Sequence, residues 1–205
     1  MDATTKERIK DLLEITSTTH DTVLDRLIAV VSQRIENFID RPLQSMERTE
    51  EYDIKPRQRV VFLRSYPLAN QAAVSSVKIA VDWDFSAVTA VDSNDYHVDL
   101  DTGRLHFNFF PIQNYLNSNT ETAPGAIQVV YTAGFAADTA TLISDYPAIA
   151  YACEMQVVAM WRRRDEPMQK SVRIDQYGSE VNDALKFLPD VREALIPYRR
   201  MRFGQ

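Results

Sequence analysis

The stretch DTVLDRLIAVVSQRIENFI, residues 21–39, places Leu24, Leu27, Ile28, Val31, Ile35 and Phe38 at three- and four-residue steps. At 3.6 residues per turn that spacing gathers them on one face, so the segment reads as a long amphipathic helix with a stripe to bury. Asp21 and Asp25 stand near its start, where negative charge meets the positive end of the helix dipole. Pro42, after Arg41, marks its end. Upstream, residues 4–15 carry a shorter stripe of Ile9, Leu12, Leu13 and Ile15. Thr4 followed by Glu7 fits a capping box at the start of that shorter helix.

Downstream the period changes from helix to strand. Segments 49–53, 59–63, 74–81, 96–98, 104–107 and 127–132 are short and rich in β-branched and aromatic residues. Ser93-Asn94-Asp95 and Asp101-Thr102-Gly103 are turn sequences, which predicts antiparallel neighbours. The polar stretch between Pro111 and Pro124 is too long for a tight turn and reads as a surface loop or arm. A third long helix is predicted from Asp145-Tyr146-Pro147 to about Arg164, with Ile149, Cys153, Val157, Met160 and Trp161 on its apolar side. Asp165-Glu166-Pro167 breaks it. Beyond lie a short strand over 171–174, a turn at Gly178, and a helix-like piece over 190–201 whose Val191, Leu195 and Tyr198 share one face. The expected architecture is α+β: two N-terminal helices and a long late helix packed with a small, mostly antiparallel sheet. A core over 1–165 and an extended C-terminal tail over 166–205 are the expected domains. That tail has little apolar mass of its own, so it should pack on the body or fold on a partner.

With 45% hydrophobic and 25% charged residues, the composition is that of an ordinary globular chain. No stretch approaches a membrane span, and the polar start MDATTKERIKDLLEI lacks the apolar region of a signal peptide, so a cytoplasmic or virion location is expected. Residues 1–161 carry 13 basic and 22 acidic side chains, residues 162–205 carry 10 and 7. An acidic body argues against general nucleic-acid binding, and the basic end is suited to an acidic partner.

Catalytic chemistry finds little footing. The single cysteine, Cys153, excludes an intrachain disulfide and lies in an apolar helix, where a buried thiol is the plain reading. His20, His97 and His106 have no ligand-type spacing, although His97 and His106 could meet across a hairpin. Asp82/Asp84 and Asp99/Asp101 have the spacing that puts each pair on one strand face. A metal-dependent enzyme acting on nucleic acid would use such pairs; solvated turn acids are the bland alternative. No GxSxG elbow, GxGxxG or phosphate-cradling loop is present. Gly134 stands alone after a strand, as a turn glycine would. No catalytic residue, metal ligand or cofactor is therefore expected. Arg162–Arg164 and Arg199-Arg200-Met-Arg202 are the basic clusters, suited to phosphate or to acidic groups of a neighbouring protein.

The order of segments resembles a known family. Glu36-Asn37-Phe38-Ile39-Asp40-Arg41-Pro42-Leu43 closes the long helix, and Leu63-Arg-Ser-Tyr66-Pro67-Leu68 precedes Val74-Ser-Ser-Val77-Lys-Ile79. Then come Tyr96-His-Val98-Asp99 with Thr102-Gly103-Arg104-Leu105-His-Phe107, and Ile127-Gln-Val-Val-Tyr131-Thr-Ala-Gly134-Phe135. Trp161-Arg-Arg-Arg164 and Leu195-Ile-Pro197-Tyr198-Arg199-Arg200 follow. This set resembles the head-to-tail connector, or neck adaptor, proteins of tailed bacteriophages, with departures in the 111–124 insertion and the extended tail. The resemblance implies a structural virion protein in the neck, assembled in the host cytoplasm. It would form a dodecameric ring of identical copies, dock on the portal protein, meet the next neck or tail-completion protein, and extend a channel through which double-stranded DNA passes without specific binding. A head-closure or tail-completion subunit is the alternative within virion proteins. The resemblance assigns portal docking to the tail, here Arg173, Tyr177, Leu195, Tyr198, Arg199, Arg200 and Arg202. It assigns a channel- or neighbour-facing role to the long loop, here Asn114, Asn117, Asn119 and Glu121.

Overall fold

The 21–39 segment forms one helix, α2 (Asp21–Ile39), with the predicted bounds and Leu24, Ile28, Val31, Ile35 and Ile39 buried along one face. Each fully buried aliphatic side chain of this kind contributes about 1.5–3 kcal/mol. The helix stops at Asp40, whose left-handed backbone (φ 55°) sends its N–H to the Glu36 carbonyl at 3.0 Å. The computed structural model describes residues 1–55, 57–80, 84–86, 88–111, 123–164, 172–175, 178–181 and 186–200. The chain divides into two units that do not follow chain order: a helical unit of Met1–Leu43 with Asp138–Gln205, and a strand unit of Gln44–Ala137. The α+β class is as expected.

In the helical unit, α2 is joined by α1 (Lys6–Leu13), α3 (Thr139–Asp145), α4 (Pro147–Arg162) and α5 (Pro189–Leu195). The short α3, capped by Asp138 accepting from the Thr141 N–H, is an element the sequence reading did not separate. Helix α4 touches α1, α2, α3 and α5 and is therefore buried on several sides. Its interior positions are filled by Ile149, Ala150, Ala152, Cys153, Val157, Val158 and Trp161, with Met160 only half-buried. Two polar residues share that interior, Glu154 at 4% exposure and Gln156 at 2%. The Glu154 carboxylate accepts from the Thr4 hydroxyl at 2.8 Å and from Arg8 Nε at 2.5 Å. The capping box expected at Thr4 does not form: Thr5 is the N-cap, and the Thr4 hydroxyl goes to the buried carboxylate, which needs donors more than the helix end does. Ala3 is fully buried, and its N–H is held by Ser32 Oγ at 2.9 Å. A two-stranded antiparallel ribbon, β7 (Val172–Asp175) with β8 (Gly178–Val181), also belongs to this part of the chain, with Gly178 paired to Asp175 where the second strand opens.

In the strand unit, β1 (Met46–Ile54), β6 (Ala123–Ala133) and β3 (Val74–Ile79) form one sheet in the order β1-β6-β3. A second sheet has the order β2-β5-β4, from β2 (Val60–Phe62), β5 (Arg104–Phe107) and β4 (Tyr96–Asp99). All of these pairings are antiparallel. The strands form two sheets because β6 spends both its edges on β1 and β3, leaving the short strands to pair among themselves. Inward residues of both sheets, among them Ile54, Val61, Val77, Val98, Leu105, Phe107, Ile127 and Val129, make one core. Tyr131, also fully buried, satisfies its hydroxyl by donating to Glu50 at 2.8 Å and accepting the Ser65 N–H at 3.1 Å. Tyr52 likewise donates to Glu50 and accepts the Arg64 N–H at 3.0 Å. Burial raises the pKa of both phenols, so they act here as neutral struts that fix the 64–65 backbone.

Candidate docking site

The C-terminal strap, residues 186–200, lies on the helical unit. Gln156 reaches it from α4 with both ends of its amide, accepting the Leu188 N–H at 3.0 Å and donating to the Lys186 carbonyl at 3.5 Å. Val191 and Leu195 bury the inner face of α5. Tyr198 sits edge-on to Tyr146, with ring centroids 6.3 Å apart. The strap then crosses the end of α2. The Arg200 N–H meets the Ile39 carbonyl at 2.7 Å, satisfying one of the carbonyls a helix leaves unpaired at its end. The Arg199 guanidinium lies 5.5 Å from the Phe38 ring centroid, and Phe187 takes Phe38 edge-on on one side and Arg34 at 5.1 Å. Asn37, Phe38, Asp40, Arg199 and Arg200 line a pocket of about 280 Å³. Two arginines at the negative end of α2 suit its dipole and give the rim a positive character that Asp40 offsets in part.

The structure thus brings together four of the residues expected to dock: Leu195, Tyr198, Arg199 and Arg200. They differ in station. Leu195 is fully buried and belongs to the unit's own core, Tyr198 and Arg200 are half-buried, and Arg199 is exposed. Arg173 is on β7, its backbone opposite Glu180. Tyr177 and Arg202 lie outside the described residues, as do Asn114, Asn117, Asn119 and Glu121 of the long loop.

The acidic pairs have local work. Asp99 accepts the N–H groups of Asp101 and Thr102, at 3.2 and 3.3 Å, and bonding from Thr102 lowers its pKa. Asp84 accepts from the N–H and hydroxyl of Ser86, which lowers its pKa in the same way; Asp82 lies outside the described residues. Among the described residues no group of three or more His, Cys, Asp or Glu side chains converges to hold a metal, and no helix is long and apolar enough to cross a membrane. Cys153 is fully buried beside Ser32, and desolvation pushes its thiol up to about 12, where it is unreactive. Sequence reasoning missed Gln156 as the anchor of the strap. Its signal was a pair of polar residues, Glu154 and Gln156, inside an otherwise apolar helical run.

A family model described as head completion protein matches residues 2–201. The chain belongs to the head completion protein family. The kinship expected from the order of segments is borne out at the level of phage head-to-tail neck and completion proteins. Among solved structures, the chain is similar to a chain in the neck of an empty gene transfer agent particle computed with C6 symmetry. That match has 15% identity and a TM-score of 0.58, covering 98% of this chain and 92% of that one. A chain in the virion of the native gene transfer agent particle matches at 15% identity and TM-score 0.57 over the same shares. A chain in the native neck, computed with C12 symmetry, matches at 16% identity and TM-score 0.53, covering 89% and 84%. At these identities the likeness is one of fold. No curated protein matches.

Proposed function

We propose that this head completion protein is a structural subunit of the neck of a phage-like particle. Copies of it form a ring that docks on the portal protein, continues the DNA channel and receives the next neck or tail-completion protein. The family match across residues 2–201 carries the reading, supported by a fold shared with chains of gene transfer agent necks. Rings with sixfold or twelvefold symmetry need two different complementary faces on each subunit, which a two-unit chain can supply. Within the proposed docking segment 166–205, the strap presents Arg199 and Arg200 at the end of α2, where an acidic surface of the portal would meet them. An acidic body bordering the channel repels DNA phosphates and lets the genome slide.

The test is electron microscopy of the chain mixed with its portal, together with the R199E/R200E variant. Wild type is expected to form a ring on the portal, with docking that weakens as salt rises. Reversing both charges should weaken docking by at least about tenfold, since each close charge pair at an interface couples by about 1.5 kcal/mol or more. A wild-type chain that never associates with the portal sinks the reading; docking that ignores both salt and the charge reversal removes the role of the arginines.

A further inference from the structure

The outer face of the β2-β5-β4 sheet carries a pair of imidazoles outside the docking site described above. Along these strands Val61, Tyr96, Val98, Leu105 and Phe107 point into the core, so Val60, Phe62, His97, Asp99, Arg104 and His106 point out. His97 and His106 are direct partners in the β4–β5 register. The neighbouring Asp95–Asn108 pair is bonded, with Asn108 N–H to Asp95 carbonyl at 2.9 Å. Alternation along an antiparallel pair makes His97–His106 a bonded pair as well, two residues further on. In a bonded pair the Cβ atoms stand at the wide end of the range, about 5.5 Å apart, still close enough for two imidazole rings to converge on one ion. His97 is exposed and His106 half-buried, so a cation in water can reach both.

We propose that His97 and His106 chelate a single borderline divalent transition cation of the Zn²⁺, Ni²⁺ or Cu²⁺ class. Imidazole nitrogen suits these ions, which it holds at about 2.0–2.1 Å. Two protein ligands leave the remaining coordination positions to water. No other described imidazole or thiol competes for such an ion. The chain's third histidine, His20, packs edge-on against Trp161 at 5.2 Å, and its one cysteine is buried. Asp99, two residues along β4, spends Oδ1 on its turn, and Arg104 adds a positive charge in the next row beside Phe62. Both features favour a small, exchangeable site over a tight structural one.

Untagged full-length chain titrated calorimetrically with ZnCl2 is the test. One ion per chain is expected, and H97N and H106N should each weaken binding by about 100-fold, because a single imidazole forgoes the effective concentration of the second. In wild type, zinc should move the imidazole C–H proton signals of two histidines together and leave the third unmoved, a readout that does not depend on the variants folding. No zinc binding by wild type overturns the proposal. Binding that survives in H97N/H106N, loss in only one single variant, or a shift of one histidine signal alone would do the same.

Discussion

Replacing Gly134 by alanine is expected to prevent the strand unit from folding. Gly134 follows β6 with φ +142°, a conformation that residues with a side chain rarely adopt. A methyl group there would stand 2.3 Å from the Gln44 carbonyl oxygen and 2.5 Å from both the Gln44 carbon and the Ser45 nitrogen. Those atoms are backbone and cannot rotate aside. They are also pinned, since the Ser45 N–H meets the Ala136 carbonyl at 2.7 Å and Gln44 bridges to Ala136. The Gly134 N–H in turn holds the Pro67 carbonyl at 3.0 Å. Relieving the clash breaks one of these ties, so the cost should exceed about 4 kcal/mol, in the range reserved for strained backbone and broken networks. Limited proteolysis of Gly134→Ala should cut freely within 44–137, and little of the chain should remain soluble. A wild-type melting curve would refute the close approach.

The second large effect is expected at Leu195. It is fully buried on the inner face of α5, whereas its neighbour Ile196 is 57% exposed. Leu195→Ala removes packed methyl groups and leaves a cavity, which costs about 2–5 kcal/mol. Ile196→Ala exposes nothing new and should stay within about 0.5 kcal/mol of wild type. Urea unfolding followed by far-ultraviolet circular dichroism measures both. Equal stabilities for the two variants would mean that the strap does not hold the helical unit. The pair also separates packing from docking, because Leu195 is fully buried whereas Arg199 is exposed.

Much of the fold was legible because it rests on local period. The stripe from Leu24 to Ile35 fixed α2, the β-branched segments located the strands, and Pro147 marked the start of α4. What escaped was decided by partners distant in sequence. The division into two sheets depends on β6 pairing along both edges, which no segment declares alone. Thr4 has a capping sequence, yet its hydroxyl is drawn to Glu154, 150 residues away, because a buried carboxylate outranks an exposed helix end. Gly134 read as a turn glycine; its requirement comes from Gln44, which crosses beside it. The face shared by Val191, Leu195 and Tyr198 was visible as period, but whether that face meets the chain's own helices or another protein is a tertiary fact. The structure gives it to the helical unit and leaves the arginines after it nearer the surface.

The ordering of the two units along the chain bears on how it is made. The strand unit is contiguous, so every residue it needs has been added before Asp138, and it can fold once that stretch has cleared the ribosome, without waiting for the segment that follows. The helical unit is closed from both termini, with Ala3 and Thr4 threaded into it at one end and Val191 and Leu195 sealing it at the other. Its assembly must wait for residues 186–200. A released chain that ends near residue 160 should therefore protect 44–137 from protease while its two ends are still digested. The surface formed where the strap crosses α2 exists only once residues 186–200 are in place, which keeps shorter products from competing for that contact.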